Sequence, residues 1–201
     1  MKKKILVTAF EPFAGRRRNP ALDVLLELPP ALGGHSLHKF KLPVDGNAVG
    51  RRIAELIRRV KPDLIVSLGL AAGEAGIRVE RFALNIKDYG IKDNAGRRPE
   101  GKKIKEGGPA AYCVSSDPVK LVAAIRKAGV PAYVSNHAGA YVCNTLMYEA
   151  LHAAGPGVKY AFIHLPLTTE MVLADEPGKA LAPSLPLSLL VKAVEAAIKV
   201  I

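Results

Sequence analysis

Apolar positions recur along the chain in two rhythms. Near-continuous runs of Ile, Leu and Val at residues 4–9, 63–70 and 159–165 predict strands buried on both faces. Residues 36–44 and 77–86 alternate with period two, and 131–135 adds a short apolar run; these predict further strands, with 36–44 at an edge. Between them the spacing turns helical. Asn19-Pro20 places a capping side chain before a proline at the first helical position, and Ala21, Leu22, Leu25, Leu26 and Leu28 follow until Pro29-Pro30. Val49, Ile53, Leu56, Ile57 and Val60 share one face of a helix over 47–60, closed by Pro62. Asp117-Pro118 opens a helix that Gly129 stops, Val142, Leu146, Met147, Ala150 and Leu151 line a helix over 140–153, and 186–200 forms a terminal helix. Two stretches follow neither rhythm. Residues 87–110, Gly-rich and charged, read as a long surface excursion of the kind that often carries function, and 166–185 as a Pro-rich loop.

Alternating strands and helices predict an α/β fold: a single domain over residues 1–201, with a mainly parallel twisted sheet and helices on both faces. In such sheets the site lies beyond the carboxyl ends of the strands. Phe10, Leu70 and Leu165 are therefore expected close together.

The 201 residues are 49% hydrophobic, enough for a sizeable core and too many for a disordered chain. No run approaches the roughly 18 uncharged apolar residues of a membrane helix. The basic start Met1–Lys4 is followed by an apolar stretch that stops at Glu11-Pro12, too short for a secretory signal, so a cytosolic protein is expected. Net charge is +11, and residues 1–61, with 13 basic and 5 acidic side chains, hold +8 of it. Such a balance fits contact with nucleic acid or membrane surfaces, but with aromatics at 5% no basic patch is interleaved with stacking rings, which argues against nucleic acid. Two cysteines do not make a disulfide scaffold. Glutamine and tryptophan are absent and prolines number 15, a composition that suggests a heat-adapted source.

Several familiar patterns fail. Gly96-x-x-x-x-Gly101-Lys102 is followed by Lys103 rather than Ser or Thr, and neither a strand nor a helix frames it. Gly69, Gly73 and Gly76 do not have dinucleotide-binding spacing and read as a tight turn after a strand. His35 and His38 sit three apart on a strand, on opposite faces, and no metal set emerges.

Cys143 begins a helix, where free backbone amides and the positive end of the dipole favour thiolate and could hold an oxyanion; the other reading is a small buried hydrophobe. Cys113, in Ala111-Tyr112-Cys113-Val114, reads as packing. His164, at the carboxyl end of an apolar strand, stands where a general base belongs, unless it is a hydrogen-bonded core histidine. Glu80, among apolar neighbours, needs a partner: either the histidine, which it would orient, or Arg81.

Taken together the segments resemble pyroglutamyl peptidase type I over nearly the whole chain. They are Phe10-Glu11-Pro12-Phe13 with Asn19-Pro20, Leu42-Pro43-Val44, Gly69-Leu70-Ala71, Glu80-Arg81-Phe82-Ala83-Leu84-Asn85, Asp93-Asn94-x-Gly96, Gly108-Pro109, Ala138-Gly139-x-Tyr141-Val142-Cys143-Asn144 and Phe162-Ile163-His164-Leu165-Pro166. The resemblance implies a cytosolic cysteine peptidase that removes N-terminal pyroglutamate from peptides, with no cofactor, as a homodimer or homotetramer. It implies Cys143 as nucleophile, His164 as general base and Glu80 as orienting acid. Phe10 and Phe13 would flank the lactam ring, and Asn19 and the backbone around Leu70 would help recognise it. The chain departs from the usual family pattern at Ala14-Gly15 for Gly-Gly, at Gly90 for an arginine, at Glu74 for an arginine and at Lys92 for a proline. The contrasting expectation is a catalytically weak relative of the same fold that serves as a basic nucleic-acid-binding or scaffold protein.

Overall fold

The computed structural model describes residues 2–174 and 181–201. Its main sheet has eight strands: β1 (Lys4–Phe10), β2 (Ala31–Leu32), β3 (His35–Leu42), β4 (Leu64–Leu70), β5 (Ile77–Leu84), β6 (Ala111–Cys113), β7 (Ala132–His137) and β8 (Lys159–Leu165). The order is β2-β3-β1-β4-β8-β5-β6, with β7 also paired to β5. Strands β3, β1, β4 and β8 run parallel, whereas β5 runs antiparallel to β8. The chain passes from β1 outward to β3 and returns across it to β4. The carboxyl ends of β1 and β4 therefore open side by side where the strand order reverses, the usual place for a ligand crevice in an open α/β sheet.

Six helices complete the described residues: α1 (Pro20–Glu27), α2 (Ala48–Val60), α3 (Pro118–Lys127), α4 (Val142–Ala153), α5 (Thr169–Leu173) and α6 (Leu187–Ile198). Asn19 caps α1 by accepting from Ala21 N, and Asp117 caps α3 by accepting from Val119 N and Lys120 N; a proline follows each cap. Helix α2 buries Val49, Ile53, Leu56 and Val60 and ends at Lys61, whose left-handed backbone (φ 50°) returns its N–H to Ile57 O. Helices α1, α3 and α6 pack on one face of the sheet, and α2 and α4 on the other, so helices cover both faces as expected.

Departures from the expected elements are local. The helix expected from residue 140 begins at Val142. The edge strand gains the two-residue β2, and the excursion 87–110 runs out and back through an antiparallel bridge between Lys87 and Lys102 before ending at β6. The stretch 166–185 holds β9 (Leu167–Thr168), α5 and β10 (Ser184–Leu185), with β9 and β10 paired in a separate small sheet; residues 175–180 of that stretch lie outside the described residues. Elements of two or three residues have too few positions to show a period. Cys113, expected to pack, is exposed on β6.

Candidate active site

Cys143 is the second residue of α4. Tyr141 precedes the helix in an extended conformation, and among the described residues the amides of the first turn have no side-chain cap. Asn144 fixes this helix end: its Oδ1 accepts from Leu84 N (2.8 Å), and its Nδ2 donates to Leu84 O (2.8 Å) and Ile86 O (2.9 Å). The end of β5 is thereby tied to the start of α4. Cys143 is only 8% exposed, and burial pushes its thiol up to about 12. The Glu80 charge adds to that rise, while Arg78 and the local backbone oppose it. The thiolate favoured by the helix dipole is thus opposed by burial, which strips the charged form of its hydration.

His164 lies on β8, on the face that packs against α4. Its Nδ1 is 2.8 Å from Glu80 Oε1, an ion pair when the ring is protonated, and both side chains are buried. Burial alone would raise the Glu80 carboxyl; the hydrogen bond and charge of His164, with Arg78 behind them, bring it below its ordinary value. Glu80 does not pair with Arg81. Arg81 points the other way, to Asn136 Oδ1 (3.2 Å), and the cation on Glu80 Oε1 is Arg78 Nη2 at 3.1 Å. Alternation along β5 explains this: residues 78 and 80 share a face, and 81 does not.

Gly69 shapes the other side of the imidazole. A Cβ there would sit 2.8 Å from His164 Cδ2 and Nε2 and 3.0 Å from Phe162 Cε1. Gly69 belongs to β4, not to a turn; it is small because the ring of the neighbouring strand lies against it.

The expected recognition residues surround the same mouth. Phe10 ends β1 and is 2% exposed, within the core cluster of α2 and α4. Phe13 is half-buried in the following turn, its ring centroid 5.9 Å from that of Tyr141, which in turn meets Tyr89 edge-on at 4.8 Å. Asn19 is buried, and its amide serves the chain itself: Oδ1 caps α1, and Nδ2 donates to Glu11 O (3.0 Å), holding the turn that carries Phe13. Leu70 is half-buried at the end of β4, opposite Leu165, and Ala71 N donates to Leu165 O (2.8 Å). The excursion closes over this region. Asn94 Nδ2 donates to Glu11 Oε1 and Pro12 O, each at 2.9 Å, and Tyr141 OH donates to Lys92 O (3.1 Å). Gly90 is exposed with open space around it. Among the described residues, no three His, Cys, Asp or Glu side chains gather as a metal set.

A family model described as pyroglutamyl peptidase matches residues 3–201. The chain belongs to the pyroglutamyl peptidase family. Within it, the pyrrolidone-carboxylate peptidase of Thermococcus onnurineus is 43% identical over 199 residues, covering 98% of this chain and 97% of that protein. The solved pyrrolidone carboxyl peptidase from Thermus thermophilus is 36% identical, with a TM-score of 0.92 over 98% of this chain and 100% of its own. Pyroglutamyl peptidase I from Bacillus amyloliquefaciens is 34% identical, with a TM-score of 0.91 over 99% and 96%.

Three residues of this candidate site were not foreseen there from the sequence: Arg78 beside Glu80 and Asn144 as the strut under Cys143, neither assigned a role, and Gly69 beside His164, read instead as part of a turn. Period-two alternation along residues 77–84 carried the signal for Arg78. The other two depend on strand pairing and on contacts between distant segments.

Proposed function

We propose that residues 1–201 work as one cysteine peptidase domain that removes the N-terminal pyroglutamyl residue from peptides, with Cys143 as nucleophile, His164 as general base and Glu80 as orienting acid. The observation that carries this reading is the 2.8 Å pair between Glu80 and His164 Nδ1, which turns Nε2 away from that carboxylate on the face shared with Cys143 at the start of α4, in a chain of this family. Pyroglutamate is a flat, neutral lactam with one N–H and one C=O. Phe13, leaning on Tyr141, offers an aromatic face to it; Phe10 closes the floor, Asn19 holds the turn, and the backbone at Leu70 lies at the edge.

Burial pushes the thiol up and so favours its neutral form, and the proton moves as substrate is attacked. Sγ attacks the pyroglutamyl carbonyl carbon as its proton passes to His164 Nε2, while Nδ1–H stays on Glu80. The oxyanion forms against the free amides of the first turn of α4. The imidazolium then protonates the leaving amine, and water, activated by the neutral ring, hydrolyses the thioester and frees pyroglutamate and Cys143.

The same reading places the enzyme in the cytosol of a heat-adapted source, as a homodimer or homotetramer that needs no cofactor. The nucleic-acid-binding or scaffold alternative is not favoured, since the family match spans residues 3–201 and Cys143, His164 and Glu80 are all present.

Release of a fluorogenic amine from its pyroglutamyl amide, with the alanyl amide as control, tests the proposal. Cys143→Ser should lower turnover by roughly 10³-fold or more and leave the melting curve in place, whereas Cys113→Ser should change neither. An active Cys143→Ser protein, or loss of activity with Cys113→Ser alone, would move the nucleophile elsewhere.

A further inference from the structure

Glu80 presents one oxygen to two partners, an imidazole and a guanidinium. Its Oε1 takes His164 Nδ1 at 2.8 Å and Arg78 Nη2 at 3.1 Å, while Oε2 is buried without a hydrogen-bond partner among the described residues. Arg78 is itself anchored from the outside. Its Nη1 lies 3.4 Å from Glu74 Oε1, and its Nη2 donates to Ser135 Oγ and His137 O at 3.3 Å each. Glu74 Oε2 accepts from Tyr133 OH at 2.8 Å. A continuous line of polar groups therefore runs from the half-exposed Glu74 and Tyr133 through Arg78 and Glu80 to His164. Arg78 and His164 are also paired across β5 and β8, which keeps the guanidinium over the carboxylate at a fixed register.

We propose that Arg78, braced by Glu74, is a positioning residue that holds Glu80 toward His164 and sets the pH range over which the His164–Cys143 pair works. The proposal rests on the Cys143–His164–Glu80 assignment and adds an element to it. Without Arg78, the Glu80 carboxylate would act on its two neighbours unopposed. It would favour the protonated imidazole and disfavour the thiolate, so both groups would hold their protons to higher pH. Removing a nearby positive charge raises every neighbouring pKa, and removing the negative charge of Glu74 lowers them; the two substitutions therefore act with opposite sign. Other groups facing the pair do not imitate this pattern. From β4 Gly69 lies against the imidazole, from β7 Ser135 accepts from Arg78, and from α4 Asn144 adjoins Cys143, none of them charged at neutral pH. Tyr89, Tyr141 and Tyr160 face Cys143 as phenols held neutral by burial, with Asp93 beyond the first two. His137 binds Gly139 N through its exposed ring.

The test is the pH profile of kcat/KM on a pyroglutamyl amide for the wild type, Arg78→Met, Arg78→Lys and Glu74→Gln, with a melting curve for each. Arg78→Met should move both limbs up by roughly 0.5–1 pH unit and lower kcat, Glu74→Gln should move both down by a few tenths, and Arg78→Lys should bring the limbs back toward the wild type. Limbs that stay in place in a folded Arg78→Met protein would overturn the proposal, as would Glu74→Gln shifting them upward. If Arg78→Met does not fold, the sign of the Glu74→Gln shift decides. Cys143→Ser separates the two claims: unmoved limbs with an inactive Cys143→Ser protein defeat the role of Arg78 alone, whereas an active Cys143→Ser protein defeats the triad.

Discussion

The two faces of the sheet are made from the same strands and differ in almost everything else. Toward α1, α3 and α6, β1 presents Ile5, Val7 and Ala9, β4 presents Leu64, Val66 and Leu68, and β8 presents Ala161, Ile163 and Leu165. Every one is apolar. Toward α2 and α4 the alternate positions are Leu6, Thr8 and Phe10; Ile65, Ser67 and Gly69; and Tyr160, Phe162 and His164. This second face is also buried, yet it carries a Thr8–Ser67 hydrogen bond of 3.0 Å, a Tyr160 hydroxyl with no partner among the described residues, and the His164–Glu80 pair. The first face needs only closeness of packing. The second buries polar atoms that call for partners, and the His164–Glu80 pair supplies them near the carboxyl end of β8. One face holds the molecule together, and the other gives up part of its packing for chemistry.

Neighbouring residues on β8 break that comparison most sharply. His164→Gln should lower kcat/KM by roughly 10²–10⁴-fold through loss of the base. Ile163→Ala, one residue away and on the other face, should cost about 2–5 kcal/mol of stability and leave kcat of the folded fraction within about twofold. Rates and denaturant melts on both proteins check this; an inactive but fully stable Ile163→Ala enzyme would erase the distinction between the faces.

Gly69→Ala probes how tightly the working face is packed around its base. The added methyl would press on Cδ2 and Nε2 of His164, and a ring displaced by a fraction of an ångström should lower kcat by roughly 10–100-fold. Steady-state kinetics against a melting curve would show whether the loss lies in the chemistry or only in a drop of about 1–3 kcal/mol in stability. Phe13→Ala should reduce kcat/KM by roughly 10–100-fold with little change in Tm, as expected for a ring that touches substrate. A stable and fully active Phe13→Ala protein would remove the aromatic face from the account of specificity and leave the Cys143–His164–Glu80 assignment standing.

The smallest effect concerns the turn that delivers Phe13. Ala14 holds a left-handed backbone (φ 55°), followed by Gly15 at φ 72°. A methyl group is disfavoured there, so Ala14→Gly should stabilise by up to about 1 kcal/mol, a few degrees in Tm at most, with kinetics unchanged. A lower Tm would mean that the Ala14 methyl contributes contacts worth more than the strain.

Much of the site was legible because it depends on local rules. Asn19-Pro20 and Asp117-Pro118 announced helix starts, and the observed caps are those residues. The apolar runs at 4–9, 63–70 and 159–165 became the adjacent parallel strands β1, β4 and β8, and their carboxyl ends meet. Cys143 was placed at a helix start and lies there. The dipole that favours its thiolate is a local property of the helix, whereas the burial that pushes the thiol the other way comes from the sheet, the aromatic residues and the excursion packed around it. Arg81 was weighed as the partner of Glu80 because it is adjacent in sequence; in a strand, adjacency points two side chains apart.

The sequence by itself determined what lies within one element: which segments are strands or helices, where each helix begins, which face of α2 is apolar, and which residue types could carry peptidase chemistry. Such properties are set by backbone dihedrals, capping and side-chain period, each acting over a few residues. Only the tertiary structure decided that β5 runs antiparallel beside β8, and therefore that Glu80 and Arg78 reach His164 from 84 and 86 positions away. It decided that Gly69 must lack a side chain because an imidazole from the next strand lies against it. It also decided how deeply Cys143 is buried, which pushes its thiol up. Pairing, close approach and loss of hydration are properties of groups brought together by the whole fold, and no short window of sequence contains them.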